Sequence, residues 1–244
     1  MVEQQTSVVR RLWEALSAPD RTPPDLPRGI SLVAARHRVT VPTFRLLAAT
    51  ETGRDRVHHD DWSLLRTSAG YYRRRTAMFM EVLTAASRDV SASWLVWKAG
   101  ALLFTVPDYP LLCEAADVDI IVSEAGIEEW AGFLSARSGT ITKSRHTPEG
   151  TLRAFQARQL VEQDVQLVWD VKASADLPAR TVADGVPVAA TEDHLDLMHD
   201  HAMSHAHEAD GCRLRMFYDA ALAGASWAGS ACEKHVLSLA PAGV

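Results

Sequence analysis

Two aspartates two residues apart, Asp117 and Asp119, run straight into the apolar segment Ile120-Ile121-Val122. Residues i and i+2 of a strand share a face, so both carboxylates point one way while the run behind them enters a core. Two anions about 7 Å apart repel, and a strand end that needed only solvation would take Ser, Thr or Asn without that cost. A hard cation such as Mg²⁺ removes the repulsion and takes oxygen ligands, usually one or two carboxylates together with substrate phosphates. The plainer reading of the same pair is a polar start to a strand, because Asp is a frequent turn residue.

A second set of potential ligands lies nearer the C-terminus. His194, His199, His201, His205 and His207 stand among Glu192, Asp193, Asp196, Asp200, Glu208 and Asp210. On a helix, His194, His201 and His205 fall near one face, and neutral imidazole ligates zinc or iron. The segment lacks an H-E-x-x-H pattern, and the plainer reading is a solvated helix with His201 turned inward and hydrogen-bonded.

The elements around the aspartates have a definite order. An apolar run, Trp94–Trp97, ends at Lys98 and leads through the small-residue turn Ala99-Gly100-Ala101 into a short apolar helix. A link containing Pro107 and Pro110 follows, and then the two aspartates. Only four lysines occur in the chain, Lys98, Lys143, Lys172 and Lys234, so Lys98 at this turn stands out.

Upstream, residues 3–17 read as an amphipathic helix and residues 18–27, with four prolines, as a linker or loop. Residues 30–49 suggest two short helices broken near Pro42. An aspartate at 60 or 61 is placed to cap a helix that runs to about Ser87, with Arg73-Arg74-Arg75 as a solvated face. Downstream, Ile127–Ser135 reads as helix, and Gly139–Thr142 as the start of a strand. Thr151–Ala157 and Val161–Val171 read as two more strands, residues 174–190 as loop, and Thr191–Leu222 as helix with a frayed tail beyond it. The expectation is an α/β (α+β) fold with a small mixed sheet and flanking helices. Residues 1–90 form an N-terminal helical region, 91–190 the α/β core, and 191–244 a C-terminal helical region.

The whole chain bounds the function. Its 244 residues are 47% hydrophobic and 23% charged, ordinary for a globular protein with a sizeable core. A formal charge of −6 argues against nucleic acid as the main partner. No apolar run approaches the roughly 18 residues of a membrane span, and the charged N-terminus does not read as a signal peptide, so the expected location is cytoplasmic. Cys113, Cys212 and Cys232 are odd in number and widely spaced, which points to reduced thiols.

Taken together, Val96-Trp97-Lys98-Ala99-Gly100, Val106-Pro107-Asp108 and Asp117-Val118-Asp119-Ile120-Ile121-Val122 resemble a known pattern. It is that of the uncharacterised nucleotidyltransferase family of the polymerase-β-type superfamily, in which a strand ending in Leu-Lys-Gly, a helix and a Pro-containing link precede Asp-Ile-Asp-Leu-Leu-Val. Ala34–Val39 is similar to the family's N-terminal helix, and His201 with Arg215–Asp219 to its C-terminal segment. The resemblance implies a nucleoside triphosphate held by Mg²⁺ and by the turn at Lys98, Gly100 and Ala101. An acceptor would attack the α-phosphorus, and a third carboxylate on a neighbouring strand would help hold metal or take the acceptor's proton. It also singles out His201 within its segment, for a structural role or a place at the edge of the cleft.

The chain departs from the pattern at three points. Ala99 replaces a glycine, Cys113 replaces an arginine, and Val165-Gln166-Leu167-Val168-Trp169 stands where the family has apolar-Asp-apolar-His-Trp. Gln166 thus occupies the place of the third acid, and a glutamine amide can ligate the cofactor metal weakly but cannot act as a base. Asp164 and Asp170 share its strand face and are the alternative acids. The expected function is Mg²⁺-dependent transfer of NMP from an NTP to a small molecule or protein side chain. The alternatives are a diverged member that acts on a biosynthetic intermediate, or a noncatalytic binding or accessory protein.

Overall fold

The computed structural model describes residues 2–18, 25–162, 164–190, 195, 198–200 and 214–224. It is mixed α/β and divides into two units, one of Met1–Tyr72 with Met198–Val244 and one of Arg73–Leu197. The N- and C-terminal helical segments thus fall in a single unit. No helix among the described residues is long and apolar enough to cross a membrane.

The helical unit contains α1 (Val2–Ser17), α2 (Ile30–Arg36), α3 (Thr40–Ala48), the first half of α4 (His59–Asp89) and α7 (Leu214–Leu222). Leu12, Trp13 and Leu16 of α1 pack with Ile30, Ala34, Leu47, Leu65, Leu214 and Phe217 in one core. The break between α2 and α3 falls at residues 37–39, where Arg38 has a φ of 52°, and not near Pro42. Pro42 sits in the first turn of α3, where its missing N–H costs no helical hydrogen bond. Asp61 caps α2 across the chain instead of its own helix. It accepts from the backbone N–H of Gly29 at 2.9 Å and of Ser31 at 3.1 Å, and from the Ser31 hydroxyl at 2.5 Å.

The α/β unit holds a seven-stranded sheet in the order β3-β4-β5-β2-β1-β7-β6. Its strands are β1 (Trp94–Trp97), β2 (Val118–Ser123), β3 (Gly139–His146), β4 (Leu152–Leu160), β5 (Gln166–Ser174), β6 (Arg180–Ala183) and β7 (Val186–Ala189). β2 runs antiparallel to β1 and parallel to β5, and β1 runs parallel to β7. The segment expected to be loop at 174–190 therefore contains a hairpin. Asp184 and Gly185, with φ of 51° and 81°, form its two-residue turn, the geometry that an Asp-Gly pair favours.

One sheet face carries the helices. Trp94 and Val96 of β1, Val118, Ile120 and Val122 of β2, and Leu167, Trp169 and Val171 of β5 are all buried there. Trp130 of α6 (Ile127–Ser135) stacks edge-on against Trp94 at 4.9 Å, and Phe79 of α4 against Trp169 at 5.1 Å. α5 (Ala99–Thr105) lies against the sheet at Gly100, where a Cβ would come 2.7 Å from Val96 Cγ1 and 3.1 Å from Val118 Cγ1.

The arginine run on α4 is solvated at Arg73 and Arg74, as expected, but not at Arg75. Arg75 is only 8% exposed, packs on the Phe79 ring and donates to the Ala116 carbonyl just ahead of Asp117. Arg74 pairs with Asp164 at 2.7 Å.

Candidate functional site

The face opposite the helices collects the polar residues of the sheet. Burial alternates through β2, with Val118, Ile120 and Val122 buried and Asp119, Ile121 and Ser123 half-buried. Asp119 therefore looks away from the helix-packed core, as the period of two requires. Asp117 lies one residue ahead of the strand and is half-buried as well.

The ladder sets the neighbours of Asp119. It pairs in register with Trp97 of β1 on one side and Asp170 of β5 on the other. Asp170 is opposite Gln156 of β4, and Gln156 is opposite Lys143 of β3. Five side chains, Trp97, Asp119, Asp170, Gln156 and Lys143, thus form one line across five strands, with steps of about 4.8 Å. A second row alongside contains Ile121, Lys172, Ala154 and Arg145.

Lys98 closes one end. Its Nζ donates to Asp119 Oδ1 at 2.9 Å and lies 4.6 Å from the centre of the Trp97 ring, with Lys172 Nζ at 6.0 Å from the same ring. The Lys98 backbone has φ 54° and ψ −141°, a conformation that glycine adopts easily and other residues rarely. The unusual conformation is at Lys98 itself. Ala99 begins α5 as an ordinary helical residue, so replacing a glycine there carries no backbone penalty.

Burial pushes the Asp119 carboxyl above the ordinary aspartate range. The Lys98 ammonium opposes this shift, the neighbouring Asp170 carboxylate adds to it, and Lys172 opposes it. Desolvation outweighs the ion pair, as it commonly does for a partly buried carboxylate. Asp170 Oδ1 accepts from Gln156 Nε2 at 3.0 Å, which fixes its orientation.

The residues singled out in the sequence are thus sorted by the strands. Asp119, Asp170 and Lys98 come together, and Asp117 adjoins them at the start of β2. Asp164 precedes β5 and is tied to Arg74. Gln166 opens β5 opposite Leu160, about 13 Å along the strand from Asp170. Gly100 and Ala101 are buried in α5, and the missing Cβ of Gly100 faces Val96 and Val118. Cys113 is a buried free thiol that accepts from the Ala115 N–H, so no arginine side chain leaves the chain at that point. His194, His201, His205 and His207 lie outside the described residues, and His199 is paired with Asp200 at 3.5 Å.

Lys143, Arg145, Lys172 and Gln156 escaped the sequence reading. The alternation Lys143-x-Arg145 on a strand was a signal for two cations on one face, but nothing local tied that face to Asp119. These side chains, with Ser144, Ala154, Phe155, Asp170 and Val171, line a cavity of about 300 Å³.

The donor set suits a hard cation. Asp119 and Asp170 sit side by side in a parallel ladder, and the contacts from Lys98 and Gln156 engage one oxygen of each. Two carboxylates match the habit of Mg²⁺, which fills its remaining positions with water and substrate oxygens. Among the described residues no group of three or more His, Cys, Asp or Glu side chains is placed to hold a metal by itself. No protein-family model matches the sequence, and no curated protein matches it.

Proposed function

We propose that the chain is a Mg²⁺-dependent nucleotidyltransferase that moves NMP from an NTP to a small molecule or a protein side chain. The observation that carries this reading is the pairing of Asp119 with Asp170 across β2 and β5, beside Lys98. It supplies, four residues after Gln166, a carboxylate on the strand where the sequence resemblance calls for a third acid.

Asp119 and Asp170 would hold Mg²⁺, which when bound neutralises the charge of the triphosphate and of the phosphoryl group in transfer. Lys98 contributes a second positive charge at the turn between β1 and α5. Asp170, whose Oδ1 accepts from Gln156, would accept the acceptor's proton. Most of the rate enhancement in such chemistry comes from positioning and fixed charge, which suits a site built on paired strands.

The test is thermal stability with each NTP, with and without Mg²⁺. A bound nucleotide at one hundred times its Kd stabilises by about 2.7 kcal/mol. The expected result is a Mg²⁺-dependent shift that disappears in Asp119→Ala and in Asp170→Ala. No shift with any NTP, or wild-type affinity in both variants, overturns the reading.

One observation favours a second reading, in which the fold is kept and NTP chemistry lost. Lys98 already neutralises Asp119 from within the protein. The cleft would then serve a diverged enzyme acting on a biosynthetic intermediate, or a binding or accessory protein. Stabilisation by a non-nucleotide small molecule alone would support the diverged enzyme, and a tightly co-purifying protein without any ligand response would support the accessory role.

A further inference from the structure

The cavity on the β3–β4–β5 side of Asp170 is not accounted for by metal or nucleotide. It lies on the far side of Asp170 from Asp119 and Lys98, along the same row of the sheet. Three basic residues contribute to its lining. Lys143 is opposite Gln156, Arg145 opposite Ala154, and Lys172 opposite Ala154 from the other side, so all three project from the face that carries Asp170.

Arg74, Lys98, Arg137 and Arg153 each have a carboxylate partner. Among the described residues, Lys143, Arg145 and Lys172 have no ion pair. The one acid in the cavity wall, Asp170, is held by the Gln156 amide and not by any of them. Lys172 also lines the cavity, but its Nζ is turned toward the Trp97 ring on the Asp119 side, so the free positive charge at this concavity comes from Lys143 and Arg145, and a compact anion relieves it.

We infer that this cavity is the acceptor subsite, and that the acceptor is a small hydroxylated molecule carrying a phosphate or carboxylate group. The inference rests on the nucleotidyltransferase reading for the transfer step, while the anion site stands on the cavity and its cations alone. A volume of about 300 Å³ admits a small metabolite and is at the lower limit of ligand pockets. With the anionic group held by Lys143 and Arg145, a hydroxyl on the same molecule reaches Asp170. In the transfer, the hydroxyl oxygen forms a bond to the α-phosphorus and its proton passes to Asp170. The bond from the α-phosphorus to the bridging oxygen breaks, and pyrophosphate leaves with the electron pair.

The test uses the full chain and two probes, inorganic phosphate and Mg·ATP, titrated separately and together at low salt. Lys143 and Arg145 are exposed, so the double variant Lys143→Ala/Arg145→Ala leaves the core intact. Loss of two charged contacts is expected to weaken phosphate binding about tenfold or more, with Mg·ATP affinity changed less than about twofold. Asp119→Ala is expected to do the reverse, and phosphate is expected to bind equally well to the ATP-loaded chain.

Phosphate affinity unchanged in the double variant, or no phosphate binding by the wild type, overturns the anion site. Competition between phosphate and Mg·ATP, or a large loss of ATP affinity in the double variant, overturns the acceptor role and gives these cations to the triphosphate. If Mg·ATP fails to bind the wild type while phosphate binds through Lys143 and Arg145, the nucleotidyltransferase reading and the acceptor role fall and the anion site remains.

Discussion

Asp61, buried, and Asp119, half-buried, are carboxylates with opposite shifts, and the difference predicts opposite responses to pH. Burial tends to raise the Asp61 carboxyl, but the Ser31 hydroxyl and the Gly29 and Ser31 amides more than offset it and hold it below the ordinary range. Its stabilisation is therefore present above the unfolded pKa and lost as the pH falls through the folded value. Asp61→Ala removes the cap of α2 and is expected to cost about 1–2 kcal/mol at neutral pH. Urea denaturation should show that cost shrinking toward strongly acid pH. Asp119 is raised, so its contribution favours folding below the ordinary aspartate pKa and is lost as the pH rises through the higher folded value. Asp170→Asn removes one cause of that shift. It is expected to stabilise the ligand-free protein by about 0.5–1 kcal/mol at neutral pH relative to acid, the usual trade between stability and a charged site. The same variant should lose the Mg²⁺-dependent NTP shift; a variant destabilised at neutral pH and still responsive to NTP would contradict both expectations.

At the scale of elements, Gly100 is explained by packing. Its Cα closes α5 onto β1 and β2, and Gly100→Ala places a methyl against Val96 and Val118, both fully buried. The expected cost is about 1–3 kcal/mol by chemical denaturation, partly recovered by Val96→Ala in the double variant. Additive losses would show that the two residues do not compete for this space. The strand carrying Asp119 was legible from the sequence because an apolar run behind alternating acids has a clear period. Asp170 was named with Asp164 as an alternative acid but could not be chosen over it, because the register between β2 and β5 is set by pairing across some fifty residues and a slip of one would turn every side chain over. Motif position fell on Gln166 and strand period left Asp164 and Asp170 open, and only the ladder shows which residue faces Asp119. The β6–β7 hairpin was missed for a different reason. The Asp184-Gly185 signal was present, but Pro187 and short, half-polar flanks masked the strands; Pro187 is tolerated in a four-residue strand next to the sheet margin. Gly185→Ala, at a φ of 81°, is expected to cost about 1 kcal/mol by the same measurement.

The whole molecule contains two units of different character, one whose core is shared among helices from both ends of the chain and one built on a mixed sheet. If nucleotide binds as proposed, added hydrogen-exchange protection with Mg·ATP should concentrate in β1, β2 and β5. Protection confined to the helical unit would place the ligand elsewhere. The pairing of β1 with β7 also has a consequence for synthesis. Val96 waits for Val188, about 90 residues further along, before the second edge of its strand is covered. At roughly 5–20 residues per second, a ribosome takes about 5–20 s to deliver that partner. During this interval Trp94-Leu95-Val96-Trp97 is an apolar strand with an open edge, a segment prone to pair with another chain. A chain released after Asp184 should therefore aggregate, and the full-length protein should refold slowly and with a yield that falls as its concentration rises.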